Sequence, residues 1–227
     1  MMESKRAYFS PQLFRFLKQL KRHNNRDWFL ANKTRYEAEV RDPCLRFITD
    51  FAPHLQRIAP RFAAVPKPTG GSLFRIYRDT RFSADKSPYK THVGMHFPHK
   101  LAGRDVHAPG WYLHLEPGGC FAAAGLWRPD GPTLRKVRDA IVQQPKMWRA
   151  IHRARLRIEG DALVSPPRGY NREHPFIDDL KRKDFVTSTA FSDARVESSL
   201  FLEEFARGCR RMRVLVEFLT EAVGLPF

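Results

Sequence analysis

Between Lys67 and Lys90 the chain carries Lys67, Arg75, Arg78, Arg81, Lys86 and Lys90, with Asp79 and Asp85 set among them and Arg128 further on. A guanidinium fork binds two oxygens of a phosphate or carboxylate at once, and a lysine adds point charge. These cations are interleaved with Phe74, Ile76, Tyr77 and Tyr89. That pattern puts some of them on a sheet face, where an unpaired charge is costly and a partner is expected. The reading is a built site for a small anionic ligand, phosphorylated or carboxylate, formed by Lys67, Arg75, Tyr77, Arg78, Arg81, Lys86, Tyr89, Lys90 and Arg128. On a regular strand Arg75 and Arg78 point to opposite faces, so their convergence requires a bend or turn near Asp79-Thr80. A second reading stays open, in which Asp79 and Asp85, with Glu116, neutralise the cations as an internal network that only pins the sheet.

Whether a reaction follows binding is left open. Asp79, Asp85, His114 and Glu116 are the residues available for proton transfer. Ser72, Ser83 and Ser87 lack a G-x-S-x-G elbow, and the cysteines have no flanking motif. His92, His96 and His114, with Glu116, fall on the polar face of two expected strands and have the chemistry to hold zinc. Along one strand, however, H-x-x-x-H separates two rings by about 13 Å, at roughly 3.3 Å per residue. No metal and no cofactor are therefore expected. Thr69-Gly70-Gly71-Ser72 precedes a strand instead of a helix, so it reads as a turn and not as a P-loop.

With 227 residues, 42% of them hydrophobic, the chain can bury a real core. Its formal charge of +16 attracts polyanions at low ionic strength, and a nucleic-acid or polyanion-binding module is the rival function. Neither an RNP pattern nor a helix-turn-helix supports that rival. Cys44, Cys120 and Cys209 form no C-x-x-C pair, which fits a reducing cytoplasm. Arg15 and Lys18 interrupt the N-terminal apolar residues, and no window approaches a membrane span, so a cytoplasmic protein without a membrane partner is expected. Nothing in the pattern sets an oligomeric state.

Helices must frame this region. Ser10-Pro11 opens one with Leu13, Phe14, Phe16, Leu17 and Leu20; Asp27 caps a second; Asp42-Pro43 starts a third that carries Pro53. The period then changes to two. Ser72 to Arg78 reads as a strand, followed by Thr91 to Pro98 with Val93, Met95 and Phe97 inward, and Trp111 to Glu116 with Tyr112, His114 and Glu116 outward. Gly118-Gly119 turns the chain into a return strand from Cys120 to Trp127. Asp130 caps a helix, Pro145 opens another, Val164 to Tyr170 is an irregular loop, Asp184 to Phe191 is a strand, and Ser192 caps a long terminal helix. The fold class is α+β, one domain over residues 1–227, with a central antiparallel sheet flanked by N-terminal and C-terminal helices.

The blocks GGSLFRIYRDTRFSADKSPYKTH and APGWYLHLEPGGCFAAAGLWRPD, with NNRDWF upstream, resemble those of the family catalogued as domain of unknown function 2461. The resemblance extends over about 9–223. It implies a single family domain and brings no activity with it. It adds weight to Arg75, Tyr77, Arg78, Asp79, Arg81, Phe82, Asp85, Lys86, Tyr89, Lys90, Trp127, Arg128 and Pro129. Relatives are expected to carry more glycine around Ala122 to Ala124.

Overall fold

Alternation of apolar and polar residues builds the centre of the molecule. The computed structural model describes residues 7–81, 84–103 and 107–227. In it β1 (Val93–Pro98), β2 (Gly110–Leu115), β3 (Cys120–Leu126) and β4 (Phe185–Phe191) form one antiparallel sheet in the order β1-β2-β3-β4. The register pairs Gly94 with His114, Tyr112 with Ala123, His114 with Phe121, and Ala123 with Ser188. Every second residue therefore points the same way. Val93, Met95, Phe97, Trp111, Leu113, Leu115, Ala122, Ala124 and Leu126 are buried on the inner face, and His96, Tyr112, His114, Phe121 and Ala123 share the outer face, which keeps partial solvent access.

Helices cover the inner face. Helix α1 (Pro11–Arg22) buries the expected stripe from Leu13 to Leu20. It is followed by α2 (Arg26–Ala31), α3 (Lys33–Tyr36), a π-helical segment at Glu37–Arg41, and α4 (Asp42–Ile58), which contains Pro53. After β3 come α5 (Gly131–Gln143), capped by Asp130, α6 (Pro145–Arg153) and α7 (Ile177–Leu180); after β4 come α8 (Asp193–Val196) and α9 (Phe201–Ala222). Helix α9 lies against β3 and β2, where the small inward side chains of Ala122 and Ala124 leave it room. A buried bond ties the two layers, from the Trp111 indole N–H to the Cys209 carbonyl at 3.1 Å. Phe51 sits between Phe97 of the sheet and Phe205 of α9, with ring centroids 4.8 Å from each. No helix among the described residues is long and apolar enough to cross a membrane.

The sequence misplaced several boundaries. Asn25, not Asp27, caps α2, its side chain accepting the Trp28 N–H at 2.9 Å. Asp42-Pro43 is no fresh start, because Arg41 is already helical and the π segment runs straight into α4. Ser192 caps only the short α8; the chain then turns at Ser198, whose hydroxyl accepts the Leu200 N–H, before α9 begins. Ser72 to Arg78 is not one strand. Ser72 and Phe74 bond to the free edge of β1 (Phe74 N–H to Gly94 O, 2.9 Å; His96 N–H to Ser72 O, 2.8 Å), whereas Ile76 and Arg78 bond to a returning segment (Lys90 N–H to Ile76 O, 2.7 Å; Arg78 N–H to Pro88 O, 2.9 Å). The partner changes between Phe74 and Ile76, so Leu73 and Ile76 are both buried and strict alternation fails.

Candidate functional site

Arg75, Arg78, Arg81, Lys86 and Lys90 lie on this arm, described over residues 72–81 and 84–90, whose two limbs pair with each other after the first leaves the β1 edge. Asparagine fixes its returning limb. The Asn24 side chain donates to Tyr89 O at 2.9 Å and accepts Tyr89 N–H at 3.0 Å, while Phe29 stacks on the Tyr89 ring at 4.1 Å. The NNRDWF block thus supplies a clamp, a helix cap and a stacking ring for the arm.

Two of the cations are paired within it. Asp79 receives Arg81 through Nε at 3.0 Å and Nη2 at 2.7 Å, and Asp85 receives Arg78 and the Ser87 N–H. The bonds from Arg81 hold the Asp79 carboxyl down at about 2, and the Ser87 N–H and then Arg78 lower Asp85. Carboxyls so held stay ionised near neutrality and pair with the cations of the arm. Lys86 donates to Thr80 O at 2.9 Å and Lys90 to Arg75 O at 3.0 Å. Among the described residues no carboxylate forms an ion pair with Arg75, Lys86 or Lys90. Lys90 is half-buried, and burial, then Arg75 and Arg78, pull its ammonium below its ordinary pKa.

From Lys90 the chemistry continues onto the sheet. The Lys90 ammonium is 5.4 Å from the Phe74 ring, and Phe74 lies 6.0 Å from Tyr112. Gly94 permits this crossing, since a Cβ there would meet the Tyr112 hydroxyl at 2.6 Å and Phe74 at 3.0 Å. Tyr112, His114 and Glu116, two residues apart on β2 and just beyond it, form a hydrogen-bonded row: Tyr112 Oη to His114 Nδ1 is 3.1 Å, and His114 Nε2 to Glu116 Oε2 is 3.3 Å. With Glu116 accepting from Nε2–H, Nδ1 accepts from the hydroxyl. His114 is sandwiched between Phe121 at 4.7 Å and His92 at 4.5 Å.

Burial raises the Tyr112 hydroxyl to about 12, keeping it a donor, and lowers His114 against the pull of Glu116. Burial, followed by His114, pushes His92 from 6.5 to about 4. The unfolded chain therefore binds more protons between those values, and the fold should lose stability as pH falls from 6.5 towards 4. Urea melts across that range should show a shallower acid limb in His92→Gln than in the wild type. An unchanged limb would mean that His92 titrates normally.

The expected site is only partly assembled. Arg75, Tyr77, Arg78, Arg81, Lys86, Tyr89 and Lys90 share the arm with Asp79 and Asp85, and Lys90 borders the row containing His114 and Glu116. Lys67 sits in the exposed turn before Ser72, on the His96 side. Arg128 is elsewhere. It follows Leu126, which pairs with Phe185, at the opposite end of the sheet from the Val93–Leu115 pair next to Lys90; its N–H is held by Asp184 at 2.6 Å and its guanidinium lies over Trp127 at 4.8 Å. Phe82 and Ser83 lie outside the described residues. Tyr112 and Phe74, absent from the expected site, border it, and the spacing Y-x-H-x-E carried the signal for the first. The expectation of no metal came from His92 and His96 along one strand. The cross-strand pair is different: His92, His114 and Glu116 each bring a donor atom within 4.8 Å of the others. Two surface cavities of about 440 Å³, one beside Tyr8 and Asp50 and one beside His152 and Asp179, lie away from this face.

No curated protein and no solved structure matches the chain significantly. A family model does match, over residues 12–218, and it spans the arm, all four strands and most of α9. The chain accordingly belongs to the family described as conserved hypothetical protein (DUF2461).

Proposed function

We propose that the protein binds a small anionic ligand, phosphorylated or carboxylate, where the arm meets the outer face of the sheet. The observation that carries this reading is the crowding of Arg75, Arg78 and Lys90. Lys90 is half-buried and destabilised as a cation by its neighbours, and neither it nor Arg75 has a protein carboxylate paired with it among the described residues. An arriving anion relieves that repulsion. Arg75 and Arg78 would supply forked donors, and Lys90 point charge over the Phe74 ring. The Tyr112–His114–Glu116 row beside them could take a proton from a bound ligand, Tyr112 receiving it as its own proton passes to His114 Nδ1 and the Nε2 proton to Glu116. The three cysteines are free and buried, which fits the cytoplasmic setting of this reading.

A thermal-shift screen against inorganic phosphate, nucleotides, sugar phosphates, dicarboxylates and short nucleic acids tests it, with Arg75→Ala alongside. At one hundred times its dissociation constant a ligand should stabilise the fold by about 2.7 kcal/mol, raising the melting temperature by roughly 5–11 °C. The gain should vanish in a folded Arg75→Ala. Equal shifts in both proteins, or none in either, would remove the reading. A response confined to nucleic acid and falling steeply with salt would point to a polyanion surface instead.

A further inference from the structure

Zinc and its neighbours in the first transition row favour imidazole and carboxylate donors, and catalytic sites commonly use three such protein ligands with one position left open. On the outer face of the sheet, two imidazoles and a carboxylate converge from β2 and from the residues next to the ends of β1 and β2. From the contacts described above we infer that His92, His114 and Glu116 form a binding site for a divalent transition metal ion. The inference goes beyond the anion reading and stands without it.

Four observations carry it. The His114 Nε2 and Glu116 Oε2 atoms are 3.3 Å apart. Two donors each about 2.1 Å from a tetrahedral ion are about 3.4 Å apart, so this edge already has the length required. The three donor atoms lie within 4.8 Å of one another, a spread that small side-chain rotations close. His114 is held in place before any ion arrives, lying between Phe121 and His92, so the rotation that closes the site falls to His92 and Glu116. Finally, His114 has an outer partner. When Nε2 binds the ion, the proton moves to Nδ1, which donates to the Tyr112 oxygen at 3.1 Å, the arrangement that orients metal-bound histidines generally. His114 stays neutral throughout: the proton leaves Nε2 for solvent, and another comes to Nδ1.

The register explains why the site forms here. Gly94 lies opposite His114, and His92, two residues before Gly94 and just ahead of β1, comes one step towards Glu116 and stacks on the His114 ring. His96, four residues from His92, faces Tyr112 instead and stands outside the trio.

The test uses the full chain, free of any affinity tag and stripped with a chelator. Titrated with Co²⁺ at pH 7.5, it should bind one equivalent and develop the visible absorption of low-coordinate Co²⁺, which Zn²⁺ then bleaches. His114→Gln and Glu116→Gln should each weaken binding at least about 100-fold, and Tyr112→Phe about 10-fold, the range typical of outer partners. His96→Gln and Arg75→Ala should bind as the wild type does. Substoichiometric binding by the wild type overturns the inference. So does wild-type affinity in a ligand variant whose circular dichroism and melting temperature are native. If both of those variants fail to fold, His92→Gln decides by the same criterion. Because Arg75→Ala abolishes anion shifts and spares metal binding in this scheme, failure of either reading is visible without the other.

Discussion

Gly125→Ala is expected to abolish the native fold. Gly125 has φ of 132°, and a Cβ there would lie 2.0 Å from Phe185 O and 2.9 Å from Val186 Cα. Both atoms are backbone of β4, the strand that pairs Gly125 with Val186, so no side chain can swing aside. Relief requires parting β3 from β4, and a loss above about 4 kcal/mol is expected, in the range reserved for a few severe mechanisms. Gly118→Ala is the control. Its φ is 73°, but nothing lies within 4 Å of the added Cβ, so it should lose only the conformational term, about 1–2 kcal/mol. Soluble yield and urea melts of the two variants separate the contributions. A Gly125→Ala protein within about 1 kcal/mol of the wild type would show that this strand pair yields far more readily than a ladder should.

Trp148→Ala is expected to produce the next largest loss. The indole is fully buried between Phe185 of β4, at 5.8 Å, and Phe218 of α9, at 5.0 Å. Its N–H donates to Asp179 Oδ2 at 2.8 Å, and that carboxylate is buried, with His152 at 2.8 Å and Arg182 at 3.3 Å as its other partners. Truncation leaves a cavity worth about 3–5 kcal/mol, or roughly 6–20 °C in melting temperature for a chain of this size. Trp148→Phe retains most of the packing and removes the donor, so it should lose less, about 1.5–3 kcal/mol. Equal losses in the two variants would assign the whole effect to the hydrogen bond.

The parts legible in the sequence are those whose register is local. Strands β1 to β3 could be read because Val93, Met95 and Phe97, then Trp111, Leu113 and Leu115, alternate against a single buried face. The arm could not, since its pairing passes from β1 to its own return limb between Phe74 and Ile76, and a change of partner leaves no periodic trace. The cations of the arm were legible as a group by their density. Arg128 was not separable from them by sequence, because only the course of β3 carries it to the far end of the sheet. The approach of His92 to His114 depends on the β1–β2 register, whereas spacing along the chain offers only His92 and His96. The Asn24 clamp on Tyr89 joins two distant segments and has no counterpart in local pattern.

The fourth strand arrives late. Short links join β1, β2 and β3, but β4 follows only after α5, α6, α7 and the irregular chain between them, and α9 later still. A ribosome adds roughly 5–20 residues each second, so roughly 5–20 s separate the emergence of Leu126 from that of Ala222. Until β4 emerges the nascent meander has one unpaired edge at β3, and throughout the interval it lacks the helix that covers Trp111 and Leu113. Phe51 of α4, already synthesised, can meet Phe97 and shield part of the inner face. The rest is open to neighbouring chains, so the hazard created by this topology belongs to the seconds of synthesis and crowded polysomes, and ends when α9 docks.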